Sequence, residues 1–263
     1  MILDLPQNIQ NFISGKEYTI DDVGLSNSKI LIFDDSVLKV EKYSKDNEET
    51  AKMMKWLEGK LPVPKVICYE KISEFQYLLM SKIKGKMSCN KYYMERPKEL
   101  IKILASALKM LWSVDISNCP RNCDIDIKLK EANLRVQSNL VDIERVNAKT
   151  FKEGRFSSPT SLLNWLVDNK PKKELVLSHG DFCLPNIFIN NDKISGFIDL
   201  GRIGIGDKWN DIALCYRSLK WNAKGRYGGN GYPKLNPDML FDALEIEPNY
   251  EKIEYYTLLD ELF

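Results

Sequence analysis

Apolar positions recur along this chain with two periods, and the change from one to the other organises it. Residues 29–33 (KILIF) and 36–40 (SVLKV) are short β-branched runs joined by Asp34-Asp35, a hairpin pattern that opens a twisted sheet over residues 17–43. A helix over 47–57 follows, closed by Gly59 and Pro62-Val63-Pro64, and strands come next at 66–70 and 75–81. From Lys98 the period becomes helical: Leu100, Ile101, Leu104, Leu108 and Leu111 fall on one face of a helix reaching Val114. Residues 126–146 and 159–167 predict two more helices, the first rich in both charges and so partly solvated. Short runs return at 175–177, 186–190 and 194–198, with Asn190-Asn191-Asp192 as turn residues that tolerate a left-handed backbone. Asp207 caps a helix reaching Trp221, and a last helix covers 250–263. The pattern is that of an α+β protein.

Composition narrows the class. A chain of 263 residues buries a substantial core, as one large domain or as two lobes. Apolar residues at 44% and charged residues at 29% are ordinary for a globular protein, and a net charge of +1 gives no electrostatic footprint for nucleic acid. No apolar run approaches membrane-spanning length, the start MILDLPQNIQ lacks a signal-peptide layout, and the six cysteines are scattered, which points to a cytoplasmic enzyme. Cys119 and Cys123 lack a second ligand pair for zinc, and His179 is the only histidine, so a multi-histidine metal site within one chain is excluded.

The chemistry concentrates in residues 175–202, LVLSHGDFCLPNIFINNDKISGFIDLGR. Asp181, Asn186 and Asp199 stand at strand or loop ends in the order that kinase-fold enzymes use for phosphoryl transfer. Such transfer moves a group whose charge is spread over oxygens, so positioning and neutralisation carry most of the catalysis. Magnesium takes hard oxygen ligands, which an Asp, an Asn carbonyl and phosphates furnish. Any one of these Asp residues alone would read as an ordinary turn or strand end; their joint spacing does not. Lys39, in the apolar run VLKV, would by alternation alone be a solvent-facing strand residue. Beside the later motif it reads as the lysine on the α- and β-phosphates.

HGDFCLPNIF, GFIDLGR, GDKWNDIALCYRSL, the terminal LLDELF, WLEGKLPVPKV and YLLMS together resemble the aminoglycoside 3′-phosphotransferases, bacterial antibiotic-resistance kinases. The resemblance implies a two-lobed protein-kinase-like fold: a small N-terminal antiparallel-sheet lobe at 1–82 that binds nucleotide, and a larger helical lobe at 83–263 for catalysis and substrate. It implies ATP and magnesium as cofactors, an aminoglycoside as the small-molecule partner, phosphorylation of its 3′-hydroxyl, and a monomer or weak dimer. A choline-like or macrolide-like substrate is the alternative, and a nucleotide-binding pseudokinase a further one that the intact Lys39, Asp181, Asn186 and Asp199 oppose.

Residue by residue, the resemblance makes Asp181 the catalytic residue that orients or deprotonates the sugar hydroxyl, and Asn186 and Asp199 the metal ligands. His179 braces the loop. Asp211 supports that loop by hydrogen bonding. On the nucleotide side it assigns Ser26 in the phosphate loop, Lys39, Ser81 and Ile83 at the hinge, and Ile198. Two departures stand out. Val37 replaces the family's adenine-stacking tyrosine, and Thr50 stands where the family has the glutamate that holds the lysine. Glu49 shares a helical face with Met53 and Trp56 and is the candidate partner of Lys39, with Glu48 the other option. On the drug side it implies Arg202, Asp260, Glu261 and the carboxylate of Phe263. The stretch 147–158, where the family has an acidic antibiotic-binding loop, carries Lys149, Lys152 and Arg155 against Glu153 alone.

Overall fold

The computed structural model describes residues 5–21, 28–144, 146–151, 154–226 and 231–263. In chain order the elements are α1 (Gln7–Ile13), β1 (Thr19–Asp21), β2 (Lys29–Ile32), β3 (Ser36–Lys42), α2 (Lys45–Leu57), β4 (Val66–Ile72), β5 (Phe75–Ser81) and β6 (Lys86–Met87). Then come α3 (Lys91–Met94), α4 (Pro97–Trp112), α5 (Ile125–Gln137), α6 (Ala148–Phe151), α7 (Pro159–Asp168) and β7 (Leu175–Ser178). The last are β8 (Ile187–Asn190), β9 (Lys193–Phe197), β10 (Gly204–Asp207), α8 (Lys208–Ala223), α9 (Met239–Leu244) and α10 (Tyr250–Asp260). Among the described residues no helix is long and apolar enough to cross a membrane.

Two compact units result. The first joins residues 1–86 to 188–201; the second joins 87–187 to 202–263. The single cut at 82/83 expected from sequence therefore misplaces one hairpin, β8–β9, which runs with the N-terminal strands. The reason lies in long-range bonds that no local pattern displays. Phe197 N–H donates to Pro62 O at 2.9 Å, Ser195 Oγ donates to Lys84 O at 2.6 Å, and Gly196 lies so close to Ile83 that a Cβ would meet its side chain at 2.6 Å.

In the first unit an antiparallel sheet of order β1-β2-β3-β5-β4 packs one face on a core of Leu31, Phe33, Leu38, Val40, Tyr77 and Leu79. Ile9 of α1, a helix absent from the sequence expectation, joins that core. The β3 side chains alternate as expected of a half-buried strand, Leu38 and Val40 inward and Lys39 and Glu41 only half-covered. Ser44 caps α2 by accepting from Asn47 N–H at 3.1 Å. Asn191 and Asp192, at φ 50° and 56°, form the two-residue turn of the β8–β9 hairpin, as their residue types predict.

In the second unit Leu100, Ile101, Leu104, Leu108 and Leu111 of α4 are all buried. Helix α8 packs on α10, α4 on α9, and α5 on α7. Helix α5 stops at Gln137, well short of the expected 146. Asn139 turns left-handed at φ 54°, and Leu140 N–H closes back on Arg135 O at 2.9 Å, which terminates the helix. The last helix likewise ends at Asp260 rather than at Phe263. Helix α9 and strand β10 have no counterpart in the sequence expectation. Strand β10 pairs antiparallel with β7, so the segments either side of the acidic motif are tied by a two-stranded ladder.

Candidate active site

In the second unit the loop after β7 is shaped by one buried carboxylate. Asp211 of α8, with no exposed surface, accepts from Ser178 Oγ at 3.0 Å, His179 N–H at 2.8 Å and Gly180 N–H at 3.0 Å. Burial pushes this carboxyl above its ordinary value, while His179 and the three donors pull the other way. Gly180 has to be glycine: at φ 82° it lies under Arg202, whose carbonyl oxygen would be 2.2 Å from any Cβ. His179 is buried, and its Nδ1 accepts from Asp181 N–H at 3.3 Å, which suits a brace better than a base.

Asp181 follows on this loop, half-buried. The Asn186 amide donates to Asp181 Oδ2 at 3.1 Å and to Asp181 O at 3.0 Å. Both amide hydrogens are thereby used, which leaves the carbonyl Oδ1 of Asn186 as the side-chain atom able to accept from or ligate a further group. The turn Leu184–Asn186 is fixed by two buried serines absent from the sequence expectation. Ser88 Oγ donates to Leu184 O at 2.8 Å, and Leu184 N–H donates to Ser218 Oγ at 3.1 Å.

The four residues expected to meet substrate lie in this unit too, but they are largely engaged with one another and with further arginines. Arg202 Nη1 donates to Asp260 Oδ1 at 2.8 Å and Arg217 Nη2 to Asp260 Oδ2 at 2.5 Å. Burial alone would raise the Asp260 carboxyl; Arg217 and Arg202 outweigh it and hold it below the ordinary range. Arg135 donates to Leu262 O at 2.8 Å and to Phe263 O at 2.9 Å. Guanidinium groups therefore meet both Asp260 oxygens and the Phe263 O atom, the groups expected to face ammonium groups of a substrate. Glu261 differs. It is 9% exposed, its Oε2 has no hydrogen-bond partner among the described residues, and burial pushes its carboxyl up against the pull of Thr150, Arg217 and Asn147.

In the first unit Lys39 Nζ meets Glu41 Oε2 at 2.9 Å. Neither helix glutamate holds it. Glu48 and Glu49 both pair with Lys52 at 2.9 Å, and Tyr43 Oη adds a bond to Glu48 at 2.9 Å. The physical reason is spacing. Lys39 and Glu41 are two apart on one strand and share its face, whereas Lys52 is the near neighbour of both acids along the helix. At the expected hinge, Ser81 N–H donates to Lys65 O at 2.9 Å, while Ile83 N–H makes no bond among the described residues. Ile198 is half-buried at the end of β9, and Asp199 beyond it is exposed at φ 56°. Ser26 lies outside the described residues.

Asp199 and Asn186 are hard oxygen donors, the chemistry magnesium requires. No group of three or more His, Cys, Asp or Glu side chains is gathered among the described residues.

Comparison with known proteins settles the family. Residues 18–235 match the model of the phosphotransferase enzyme family. The chain is 40% identical over 242 residues to an aminoglycoside 3′-phosphotransferase of Enterococcus faecalis, covering 92% of this chain and 87% of the relative. It is 41% identical over 219 residues to one from Staphylococcus aureus, covering 83% and 80%. The chain belongs to the aminoglycoside 3′-phosphotransferase family. Among solved structures, that of an aminoglycoside 3′-phosphotransferase of type VIII superposes with a TM-score of 0.80 at 23% identity, covering 97% of both chains. A Streptomyces rimosus aminoglycoside phosphotransferase, solved with ADP and streptomycin, superposes with a TM-score of 0.79 at 21% identity, covering 97% of this chain and 95% of its own. The α+β, kinase-like fold follows. In this aminoglycoside 3′-phosphotransferase relative, Lys39 meets a carboxylate on its own strand β3 and none on α2 among the described residues. The stretch 147–158 is basic, and Arg155 pairs with Glu254.

Proposed function

We propose that this protein transfers the γ-phosphoryl group of ATP to the 3′-hydroxyl of an aminoglycoside. The observation that carries the reading is the Asp181–Asn186 arrangement, held on a loop that Asp211 shapes, in a chain about 40% identical to enzymes named for this reaction. In the first unit Lys39 binds the nucleotide phosphates, Asp199 is a donor for magnesium, and the Ser81 carbonyl and Ile83 N–H meet the base edge beside Ile198. In the second, Asn186 presents Oδ1 to the cation and Asp181 accepts or orients the hydroxyl proton. The hydroxyl oxygen bonds to the γ-phosphorus, the bond from that phosphorus to the β–γ bridging oxygen breaks, ADP leaves, and the proton passes through Asp181 to solvent. Magnesium, when bound, neutralises phosphate charge. The Asn186 bond to Asp181 Oδ2 leaves Oδ1 of that carboxylate to accept the proton.

On the substrate side Glu261 keeps an oxygen without a hydrogen-bond partner among the described residues, and its side chain must turn outward for that buried atom to meet a substrate. Because Asp260 is neutralised by two arginines, a less cationic acceptor of the choline or macrolide kind is the competing reading. A coupled ADP-release assay over kanamycin-like, neomycin-like, choline and macrolide acceptors decides between them. Turnover confined to choline or macrolides would replace the aminoglycoside assignment, and turnover with none would end the reading as a kinase of these compounds. In the same assay Asp181→Asn should lower kcat by roughly 10²–10⁴ with nucleotide affinity nearly intact, since the carboxylate acts on the hydroxyl. Near-parental turnover removes Asp181 from the chemistry.

A further inference from the structure

A phosphate-binding lysine needs a carboxylate to fix its ammonium group, and in kinases that carboxylate comes from a helix whose position can change. Here the helix offers none. Thr50 spends its hydroxyl on Asp46 O at 2.9 Å, and Glu48 and Glu49 are both occupied by Lys52. The sheet supplies one instead. Glu41 is 13% exposed and takes Lys39 Nζ on Oε2 at 2.9 Å. Its other oxygen accepts from Gln76 Nε2 at 2.9 Å.

Gln76 is directly opposite Glu41 in the β3–β5 ladder and is 1% exposed. Its own carbonyl accepts from Tyr69 Oη on β4 at 3.2 Å. Three adjacent strands thus contribute one side chain each to a chain of bonds that ends on Lys39. A side-chain amide buried this deeply is costly unless bonded, and here both of its ends are bonded. The cost of moving Glu41 away is therefore high, because Gln76 would lose its acceptor.

We infer that Glu41 is the positioning residue for Lys39, held in register by Gln76 and Tyr69, and that this sheet-borne carboxylate takes the role usually given to a helix glutamate. The inference rests on the reading of Lys39 as the phosphate-binding lysine. It makes the placement of that lysine a property of the sheet, independent of where α2 sits.

The test is a double-mutant cycle on the full chain: Lys39→Ala, Glu41→Gln and the pair, read as kcat, KM for ATP and KM for the aminoglycoside. Glu41→Gln should raise KM for ATP about tenfold, the scale of one lost charge-assisted hydrogen bond, and leave KM for the aminoglycoside unchanged. Added to Lys39→Ala it should change nothing further, because its effect runs through Lys39. A merely structural role would lower both backgrounds alike, and that result overturns the inference. So does a parental KM for ATP in Glu41→Gln beside an impaired Lys39→Ala, or a loss confined to Glu49→Gln. A Lys39→Ala enzyme with parental ATP kinetics would instead remove the underlying reading of Lys39. Should Glu41→Gln fail to fold, Gln76→Met carries the same test. It should raise KM for ATP about threefold in the parent, less than the direct loss, and not at all beside Lys39→Ala.

Discussion

Asp199 is held at φ 56°, a left-handed backbone that costs an ordinary residue roughly 1–2 kcal/mol and that Asp and Asn tolerate best among non-glycine residues. A strained conformation at a residue proposed to bind magnesium is what a site under functional constraint looks like. Asp199→Asn and Asp199→Ala separate the two demands. Asn keeps the local backbone tolerance and loses the charge, so it should lose magnesium-dependent nucleotide binding with Tm close to the parent. Ala should lose both binding and about 1 kcal/mol of stability. Titration with a fluorescent nucleotide, with and without magnesium, reads the first, and thermal melting reads the second. Full magnesium-dependent affinity in Asp199→Asn would detach the cation from this residue. At this scale the support that Asp211 gives the loop was legible through the family resemblance, since its carboxylate does accept from Ser178, His179 and Gly180. The sequence was opaque where a partner is chosen by distance. Helical spacing pointed to Glu49 or Glu48 as the partner of Lys39, whereas Glu41, two residues along the same strand, is the carboxylate that meets it.

At the scale of elements, the β7–β10 ladder and the start of α8 carry the loop on which the proposed chemistry depends. Glu174, just before β7, braces them: it takes Lys208 Nζ at 2.5 Å, Lys252 Nζ at 2.7 Å and Trp209 Nε1 at 2.8 Å. Burial would raise its carboxyl, but Lys208, Lys252 and Trp209 outweigh that and bring it from 4.5 to about 2. A depressed carboxyl stabilises the fold above its unfolded value and loses that contribution as pH falls. The parent should therefore lose stability between pH 4.5 and about 2 more steeply than Glu174→Gln. Denaturant midpoints across that window check it, and equal slopes for the two proteins would show that Glu174 contributes nothing there. The α4 stripe was readable because its period is long and regular. The end of α5 was not, because Asn139 enforces a left-handed turn inside a segment whose polar pattern continues smoothly past it. Strand β10 escaped for a related reason: Gly204 and Gly206 carry no hydrophobic alternation to read.

For the whole molecule, the feature least visible in the sequence is that the first unit is not a continuous stretch. Hydrophobic period is local, and nothing in residues 1–86 declares that they await 188–201. The hydrogen bonds and close packing between those segments say so, at Pro62, Ile83 and Lys84. A fragment of residues 1–86 should accordingly be unstable alone. The same fragment joined by a flexible linker to 188–201 should regain a cooperative melt. A cooperative melt by residues 1–86 without the hairpin would refute this. The arrangement also bears on synthesis. A ribosome releases this chain from its N-terminus, so the first unit emerges early and cannot close until Gly201 has left the exit tunnel, after about a hundred further residues have been translated. At an elongation rate of roughly 5–20 residues per second, the sheet β1–β5 waits roughly 6–23 seconds for the β8–β9 hairpin that completes its unit. The surface at Pro62, Ile83 and Lys84 stays uncovered meanwhile, so the yield of active enzyme in a cell should depend on ribosome-associated chaperones more than its mature stability would indicate.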